Sequence, residues 1–389
     1  MSETIENIVI VGGGPVGATL ALLLAKQGVA VTVLEARKQG AAYNESRALA
    51  LSYGSKRILE KLGVWGSLAK SATAINTIHV SQKGSLGRSK LQASDYKQEA
   101  LGYVLSYGVL SEALDNALTS QNLVNFIFEA SAEHIAYTST HASVTYAYQG
   151  ELDTLNSRLM VLADGGRSLD EIAGLVKETK EYGHDALISK ISAELPHNNI
   201  AYERFTANGP MALLPNGERD FSLVWTGKKE YVNKLLALSD AEFLTQFHEQ
   251  FGDRVGQFLS VKKRMAFPLK LSQLKTTDTP HLVVIGNAAQ TMHPVAGQGF
   301  NVGLRDAESL AQSAATTAAV DFGCPKMLDD YRASRQSDTK NGLLFTDFLV
   351  NIFSNDIVGV NGLRGAGLGL FDLIKPIKQR LVSKMSYGK

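Results

Sequence analysis

The chain opens on "NIVIVGGGPVGATLALLLAKQGVAVTVLEAR", where an apolar run breaks into glycine and resumes with helical spacing. The pattern predicts a short buried strand over 8–11, a helix from about Pro15 to Lys26 stopped by Gly28, and a second strand through "VAVTVLE". Helical spacing returns in "YGSKRILEKLGVWGSLAK" and "GVLSEALDNALTSQ". Residues 76–100 are polar with strand alternation, and "NLVNFIFEASAEHIAYTSTHASVTYAY" alternates like a pair of strands. "RLMVLADGGRS" reads as an apolar strand running into Asp-Gly-Gly. From about 180 to 270 the texture is that of an antiparallel sheet, through "ALISKISAEL", "NIAYERFTANGPMALLPN" and "DFSLVWTGK", with a helix at "DAEFLTQFHEQFGDRV". "HLVVIGNAAQ" returns to the strand-into-glycine style, and helical patterns then continue to near the end.

These elements imply an α/β fold, with a Rossmann-like domain interleaved with a smaller sheet-rich domain and followed by C-terminal helices. The expected boundaries are 1–75, 101–179 and 265–340 for the first domain, 76–100 and 180–264 for the second, and 341–389 for the helical region. No internal repeat or low-complexity linker breaks the chain.

Composition narrows the function classes. With 39 basic and 38 acidic residues in 389, no charge imbalance and no basic tract calls for nucleic acid. The single cysteine, Cys324, excludes an internal disulfide framework and any multi-cysteine metal site, and fits a reducing compartment. The N-terminus has no basic region ahead of its apolar run, and no stretch reaches the roughly 18 apolar residues of a membrane span. The expectation is a cytoplasmic protein attached at most to a membrane surface, with no metal.

The first glycine cluster carries chemistry. In Gly12-x-Gly14-x-x-Gly17 the first glycine permits a tight turn, the second lets backbone approach a pyrophosphate, and the third lets helix and strand pack closely. The helix start offers unpaired N–H groups to phosphate. Glu35 ends the second strand 18 residues after Gly17, placed to accept hydrogen bonds from ribose hydroxyls and to repel a 2′-phosphate. The motif alone does not choose between NAD and FAD.

A second strand-to-glycine element, "GNAAQTMHPVAGQGFNVGLRD", begins at Gly286. It lacks GxGxxG and an acid-ended strand, so it does not hold a dinucleotide of its own. Asn287 has the chemistry of a helix cap, and Gly297, Gly299 and Gly303 expose backbone before a helix. The economical reading is that both elements grip one extended ligand, the first at its diphosphate and the second at a distant heterocycle. FAD has that shape.

Three motifs in order, "GGGPVG", "ADGGRS" and "GNAAQTMHPVAGQGFN", resemble those of the class A flavoprotein monooxygenases, over nearly the whole chain. "NESRALALSYGSKRILEKLGVW", "PHNNIAYERFTANGPMALLPNGE" and "FPL" are similar to the ubiquinone-biosynthesis hydroxylases, most of all to their 2-polyprenyl-6-methoxyphenol hydroxylase branch. The resemblance implies FAD, with NAD(P)H as reductant, and hydroxylation of a prenylated (methoxy)phenol by O2 through a C4a-hydroperoxyflavin. By position it assigns Gly12, Gly14 and Gly17 to the diphosphate, Glu35 to the adenosine ribose, Arg47 to the phosphate region and Ala132 to the adenine. It assigns Asp164 and Gly165 to flavin and pyridine-nucleotide contacts, Asn287 to ribityl or diphosphate oxygens, and Gly297, Gln298, Gly299 and Asn301 to the isoalloxazine. Four positions depart from the pattern: Asn287 and Gln290 stand where most relatives have Asp and His, Glu171 where an Arg is usual, and Ser111 where Arg, Gln or His is common.

No triad or metal cluster appears, so no catalytic residue is assigned. His293 and Pro294 are candidates for contact with substrate or flavin, against the plainer reading that they shape their loop. His197 is expected to make a structural hydrogen bond, Glu203 and Arg204 to form an ion pair within the sheet, and Trp65 and Trp225 to be core. The C-terminal stretch carries Leu370, Leu373, Ile374, Ile377 and Leu381 beside Lys375, Lys378, Arg380 and Lys384. That pattern fits an interfacial helix on the inner membrane or one packed on its own protein. A lipid-like phenol, O2 and a ubiquinone-making complex are the partners the resemblance implies. The alternatives are another FAD-dependent prenyl-lipid oxidoreductase and a non-enzymatic prenyl-binding scaffold.

Overall fold

A parallel sheet forms because its strands are buried on both faces and read as continuous apolar runs. The computed structural model describes residues 5–84, 88–169, 172–276, 279–291, 298–336, 379, 382–384 and 386–388. Strand β1 (Ile5–Val11) pairs in parallel with β2 (Val31–Glu35) on one side and with the strand Glu151–Leu162 on the other. Outside these lie Val124–Phe128, beside β2, and Leu282–Val284, beside Glu151–Leu162. The chain runs outward from β1 in one direction, then crosses back to continue in the other. Ligands bind beyond the carboxyl ends of the strands at such a switch point.

Helix α1 (Pro15–Lys26) covers one face of this sheet, with Leu20, Ala21 and Leu24 in the main core. A hairpin of Ser131–Tyr137 and Ala142–Tyr148 extends the sheet in antiparallel fashion, its second strand pairing with the first half of Glu151–Leu162. The stretch from 122 to 148 thus forms three strands rather than two. Only two residues separate the first pair, and Glu129 there adopts φ 59°, so the alternation runs on through the break.

Among the described residues the second sheet has nine strands and draws on residues 77–92, 175–276 and 290–291. On one face the helices Lys229–Ala237 and Asp240–Phe251 close an aromatic core of Phe243, Phe247, Phe251 and Trp225, all fully buried. Its other face meets a three-stranded sheet of Ala48–Ser52, Thr73–Ile75 and Gly102–Ser106. Trp65 is partly buried and packs edge-on against Tyr103, at 4.7 Å between ring centroids. Among the described residues, no helix is long and apolar enough to cross a membrane. Of the C-terminal candidates, Leu370, Leu373, Lys375, Lys378, Arg380 and their apolar neighbours lie outside the described residues, and only Lys384 is within them.

Candidate functional site

The carboxyl ends of the parallel strands bring the glycine motifs together. Backbone hydrogen bonds continue the ladder into the turns: Gly12 N donates to Leu34 O at 2.8 Å, Ala163 N to Val11 O at 2.8 Å, and Ile285 N to Leu162 O at 3.0 Å. Gly12, Asp164 and Gly286 therefore stand side by side although some 274 positions separate the first from the last.

Gly12 has φ +101°, and a Cβ there would come within 2.6 Å of the Asp164 backbone. No residue with a side chain fits that approach. The later motif packs on the start of α1 in the same way. A Cβ on Gly303 would lie 2.8 Å from Val16 and 3.1 Å from Gly286. Gly303 is thus a packing position inside the helix Gln298–Ala315, not exposed backbone ahead of it.

The start of α1 is left open. Its N-cap is Gly14, no side chain caps it, and no acid occupies its first turn. A Cβ on Gly14 would meet only the Tyr107 hydroxyl at 3.7 Å and the Arg37 guanidinium at 3.9 Å, both at ordinary contact distance. Arg37 donates to the Tyr107 hydroxyl at 3.4 Å, and Arg47 lies over the Tyr107 ring at 4.6 Å while pairing with Glu45 at 3.0 Å. Unspent N–H groups, a helix dipole and two guanidiniums make this a place for a diphosphate. Arg37 and Tyr107 carry no motif signal and were not found from sequence.

Glu35 is buried and its carboxylate holds the turn. It accepts from Gly13 N at 2.9 Å, from Arg37 N at 2.9 Å and from Arg37 Nε at 2.9 Å. Burial pulls its pKa upward, but the Arg37 and Gly13 hydrogen bonds and the Arg37 charge outweigh that and leave it lowered. Beside it is a pocket lined by Gly13, Pro15, Arg37, Ser111 and Asp115. Ser111 Oγ is buried there with no protein partner, which places this departure from the family pattern at the Glu35 end of the site. Tyr43 donates to Asp115 at 3.1 Å, and burial beside that carboxylate pushes the phenol up to about 12. Ala130, two residues before Ala132, is the one whose N–H reaches Glu35 O, at 3.0 Å; Ala132 packs on the sheet behind it.

The Asp164 carboxylate accepts from Gly166 N at 2.9 Å and Ser168 N at 2.8 Å, which folds the Asp-Gly-Gly turn back on itself. Gly165 has open space where a Cβ would sit. Asn287 is exposed in the short turn Gly286–Ala288 and does not cap the helix that begins at Gln298. That turn is fixed by the last residue of the quoted motif, Asp306, and by Arg335, which carries no motif signal. Asp306 accepts Gly286 N at 3.0 Å and pairs with Arg335 at 2.8 Å, both side chains being buried.

Asn301 is buried and its amide is engaged on three sides. It accepts from Ser52 N at 2.7 Å and Ser55 Oγ at 2.7 Å, and donates to Ala50 O at 2.9 Å. Its side chain ties the glycine motif to the three-stranded sheet. Gly299 lies in the first turn of its helix, with Gln298 at the start. His293, Pro294, Gly297 and Glu171 lie outside the described residues. His197 bonds the Gly217 carbonyl and accepts from Asn199 N at 2.9 Å. Cys324 accepts a weak bond from Met327 N at 3.5 Å and faces none of these groups. Among the described residues, no cluster of His, Cys, Asp or Glu is arranged to hold a metal.

The expected ion pair of Glu203 with Arg204 does not form. Neighbouring residues of a strand point to opposite faces. Arg204 donates to Gln250 O at 2.9 Å and Ser81 Oγ at 3.3 Å on the helix side, while Glu203 lies on the other face.

Comparison with known proteins agrees with this geometry. The sequence model of the FAD binding domain matches residues 6–342. The chain is 34% identical over 396 residues to the ubiquinone hydroxylase UbiL of Rhodospirillum rubrum, covering 100% of this chain and 90% of that one. It is 27% identical over 375 residues to the 3-demethoxyubiquinol 3-hydroxylase of Escherichia coli, covering 95% of each. Its fold matches p-nitrophenol 4-monooxygenase PnpA of Pseudomonas putida with a TM-score of 0.77 at 18% identity, over 99% of this chain and 98% of that one. An open helix start at a switch point, two glycine motifs on one ligand track and a full-length match lead to one conclusion: the chain belongs to the FAD-binding-domain family, among its FAD-dependent monooxygenases.

Proposed function

We propose that the protein hydroxylates the ring of a lipid-like, prenylated (methoxy)phenol in ubiquinone biosynthesis, using O2 and electrons from NAD(P)H. The full-length likeness to UbiL supports this reading most. In it, the amides at the start of α1, beside Gly12, Gly14 and Gly17, hold the FAD diphosphate, with Arg47 nearby. Glu35 and Ser111 face the adenosine half, Ala130 and Ala132 the adenine edge, and Asp164, Gly165 and Asn287 the middle of the cofactor. Gly297, Gln298, Gly299 and the backbone at Asn301 take the ring end. FAD supplies the electron storage and oxygen activation that no side chain offers.

The protein's own work is placement. The helix dipole and the guanidiniums of Arg37 and Arg47 offset phosphate charge, and Glu35 disfavours a 2′-phosphorylated ligand. Asn301 fixes the three-stranded sheet against the second glycine motif, and the apolar face of that sheet keeps water from the reacting ring. A prenylated substrate dissolves in lipid, so this reading includes a peripheral membrane contact, supported by the mixed basic and apolar sequence after residue 368. The test is mass spectrometry of quinone-pathway lipids from cells lacking the gene. Accumulation of a polyprenyl phenol short of one ring oxygen, reversed by complementation, is the expected result. An unchanged lipid profile in a strain without a second such hydroxylase rejects the assignment.

A further inference from the structure

The inner face of the nine-stranded sheet carries one acidic group that the fold does not use. The strand Ile200–Thr206 sends Tyr202 and Arg204 toward the helices, where Tyr202 meets Phe251 edge-on at 5.5 Å between centroids. Glu203 points the other way. Strand register places it in a row that crosses seven strands: Ser89, Val80, Glu203, Ala212, Val224, Ile188 and Met265. Apart from Ser89 at its edge, every other member of that row is apolar. One step along the same face, Ala201 and Leu214 pack against Ile75 and Val104 of the three-stranded sheet. That sheet is the one Asn301 ties to the second glycine motif. Glu203 therefore faces the half of the molecule that carries the cofactor elements.

Among the described residues, no donor and no cation reaches the Glu203 carboxyl. Val80 and Ala212 flank it, Val224 and Ile188 lie beyond, and Ile75 and Val104 pack one step along the face; none of them titrates, and Lys190 and Asp220 of this face pair with each other at 2.9 Å. The charged and phenolic groups of its own strand, Arg204 and Tyr202, lie on the opposite face. Burial alone pushes the carboxyl up to about 8. An unpartnered carboxyl on an apolar surface destabilises a fold, and a carboxyl so perturbed with no structural partner is a candidate for a role with a ligand.

We propose that the Glu203 carboxyl is the polar contact for the phenolic hydroxyl of the substrate and its proton acceptor. This rests on the function proposed above and names the residue that orients the ring. The row from Ala212 through Val224 and Ile188 to Met265 takes the prenyl chain, and Met265 and Phe267 are 45% and 48% exposed where it emerges. In the step assigned here the phenol O–H bond breaks, the proton passes to a Glu203 oxygen, and the electron pair stays on the phenolate. No electrons are exchanged. The negative oxygen raises electron density at its ortho and para carbons, which is what an electrophilic oxygen donor needs.

The test uses FAD-loaded protein with 2-methoxyphenol as binding probe and a short-chain prenylated 2-methoxyphenol for turnover. Glu203→Gln keeps size and loses ionisation; Glu203→Asp keeps ionisation with a shorter reach. The wild type should show a rising limb of kcat/KM with an inflection near 8. Glu203→Gln should keep its flavin and its reduction by NAD(P)H, melt no lower than the wild type, lose that limb, and fall about 100-fold in kcat/KM. Glu203→Asp should be slow yet retain the limb. Normal turnover with an unchanged pH profile in Glu203→Gln overturns the assignment and leaves the hydroxylase reading standing. If the wild type neither binds nor oxidises either phenol, both fall together.

Discussion

The cofactor elements and the inner face of the nine-stranded sheet are built on opposite plans. Around the glycine motifs nearly every polar side chain is already engaged: Glu35 with Gly13 and Arg37, Asp164 with its own turn, Asp306 with Gly286 and Arg335, Asn301 with Ala50, Ser52 and Ser55. What remains for a ligand there is chiefly backbone, with the Arg37 and Arg47 guanidiniums and the Ser111 hydroxyl beside it. On the sheet face the backbone is consumed by the ladders, Lys190 and Asp220 pair with each other at 2.9 Å, and the row around Glu203 offers mainly apolar side chains and that carboxyl. A cofactor that stays bound suits a rigid cradle of N–H groups. A substrate that comes and goes, and must be chosen, suits side chains.

The contrast can be broken first at the glycines, where the largest effects are expected. Gly14→Glu should fold, because its Cβ has room, and emerge colourless, because a carboxylate then sits where phosphate belongs. A normal melting temperature with no flavin absorbance is the expected pair of readings; full flavin retention contradicts the diphosphate placement. Gly12→Val should differ in kind. With φ +101° and the Asp164 backbone 2.6 Å from its Cβ, it should lose about 3 kcal/mol or more of stability, read from chemical denaturation of the apoprotein.

Arg335→Ala should cost about 3 kcal/mol, since it leaves the Asp306 carboxylate buried without its ion partner. A drop below about 1 kcal/mol, with an unchanged denaturant slope, would mean the pair is not holding the Gly286 turn.

The smallest effect runs the other way. The folded-state value for Glu203, about 8, lies above that of a free carboxyl, so the folded state binds the proton more tightly. Stability is then greatest in acid and declines as pH rises toward about 8. Glu203→Gln should remove that decline and be the more stable protein at alkaline pH, while the same substitution costs turnover. Parallel stability–pH curves for the two proteins would show that the carboxyl is not desolvated as described.

Much of this was legible in the sequence, and the gaps have physical reasons. The unit of β1, α1 and β2 was plain because period, glycine spacing and terminal acid all agree. The second glycine element was legible as a partner to the first, but Gly303 looked like exposed backbone: a glycine used to admit Val16 is indistinguishable from one used to admit a ligand until the neighbour is known. The three-stranded sheet was missed because "ALALS" and "TAI" are too short to show a period. Arg37 meets Tyr107, and Asp306 meets Arg335 and the Gly286 backbone, across 20 or more positions, and nothing local marks such a partner. Glu203 shows the opposite failing: a charge pair was expected where strand alternation, already visible in "IAYERFT", forbids one.

The most direct test of the central claim is oxygen-isotope incorporation by the purified, FAD-loaded protein under isotopically heavy O2, with NAD(P)H and a prenylated methoxyphenol. The account predicts one heavy oxygen atom in the ring of the product, dependent on both the reductant and the flavin. Substrate that returns unlabelled while NAD(P)H is consumed, or a product oxidised without gaining oxygen, would contradict it.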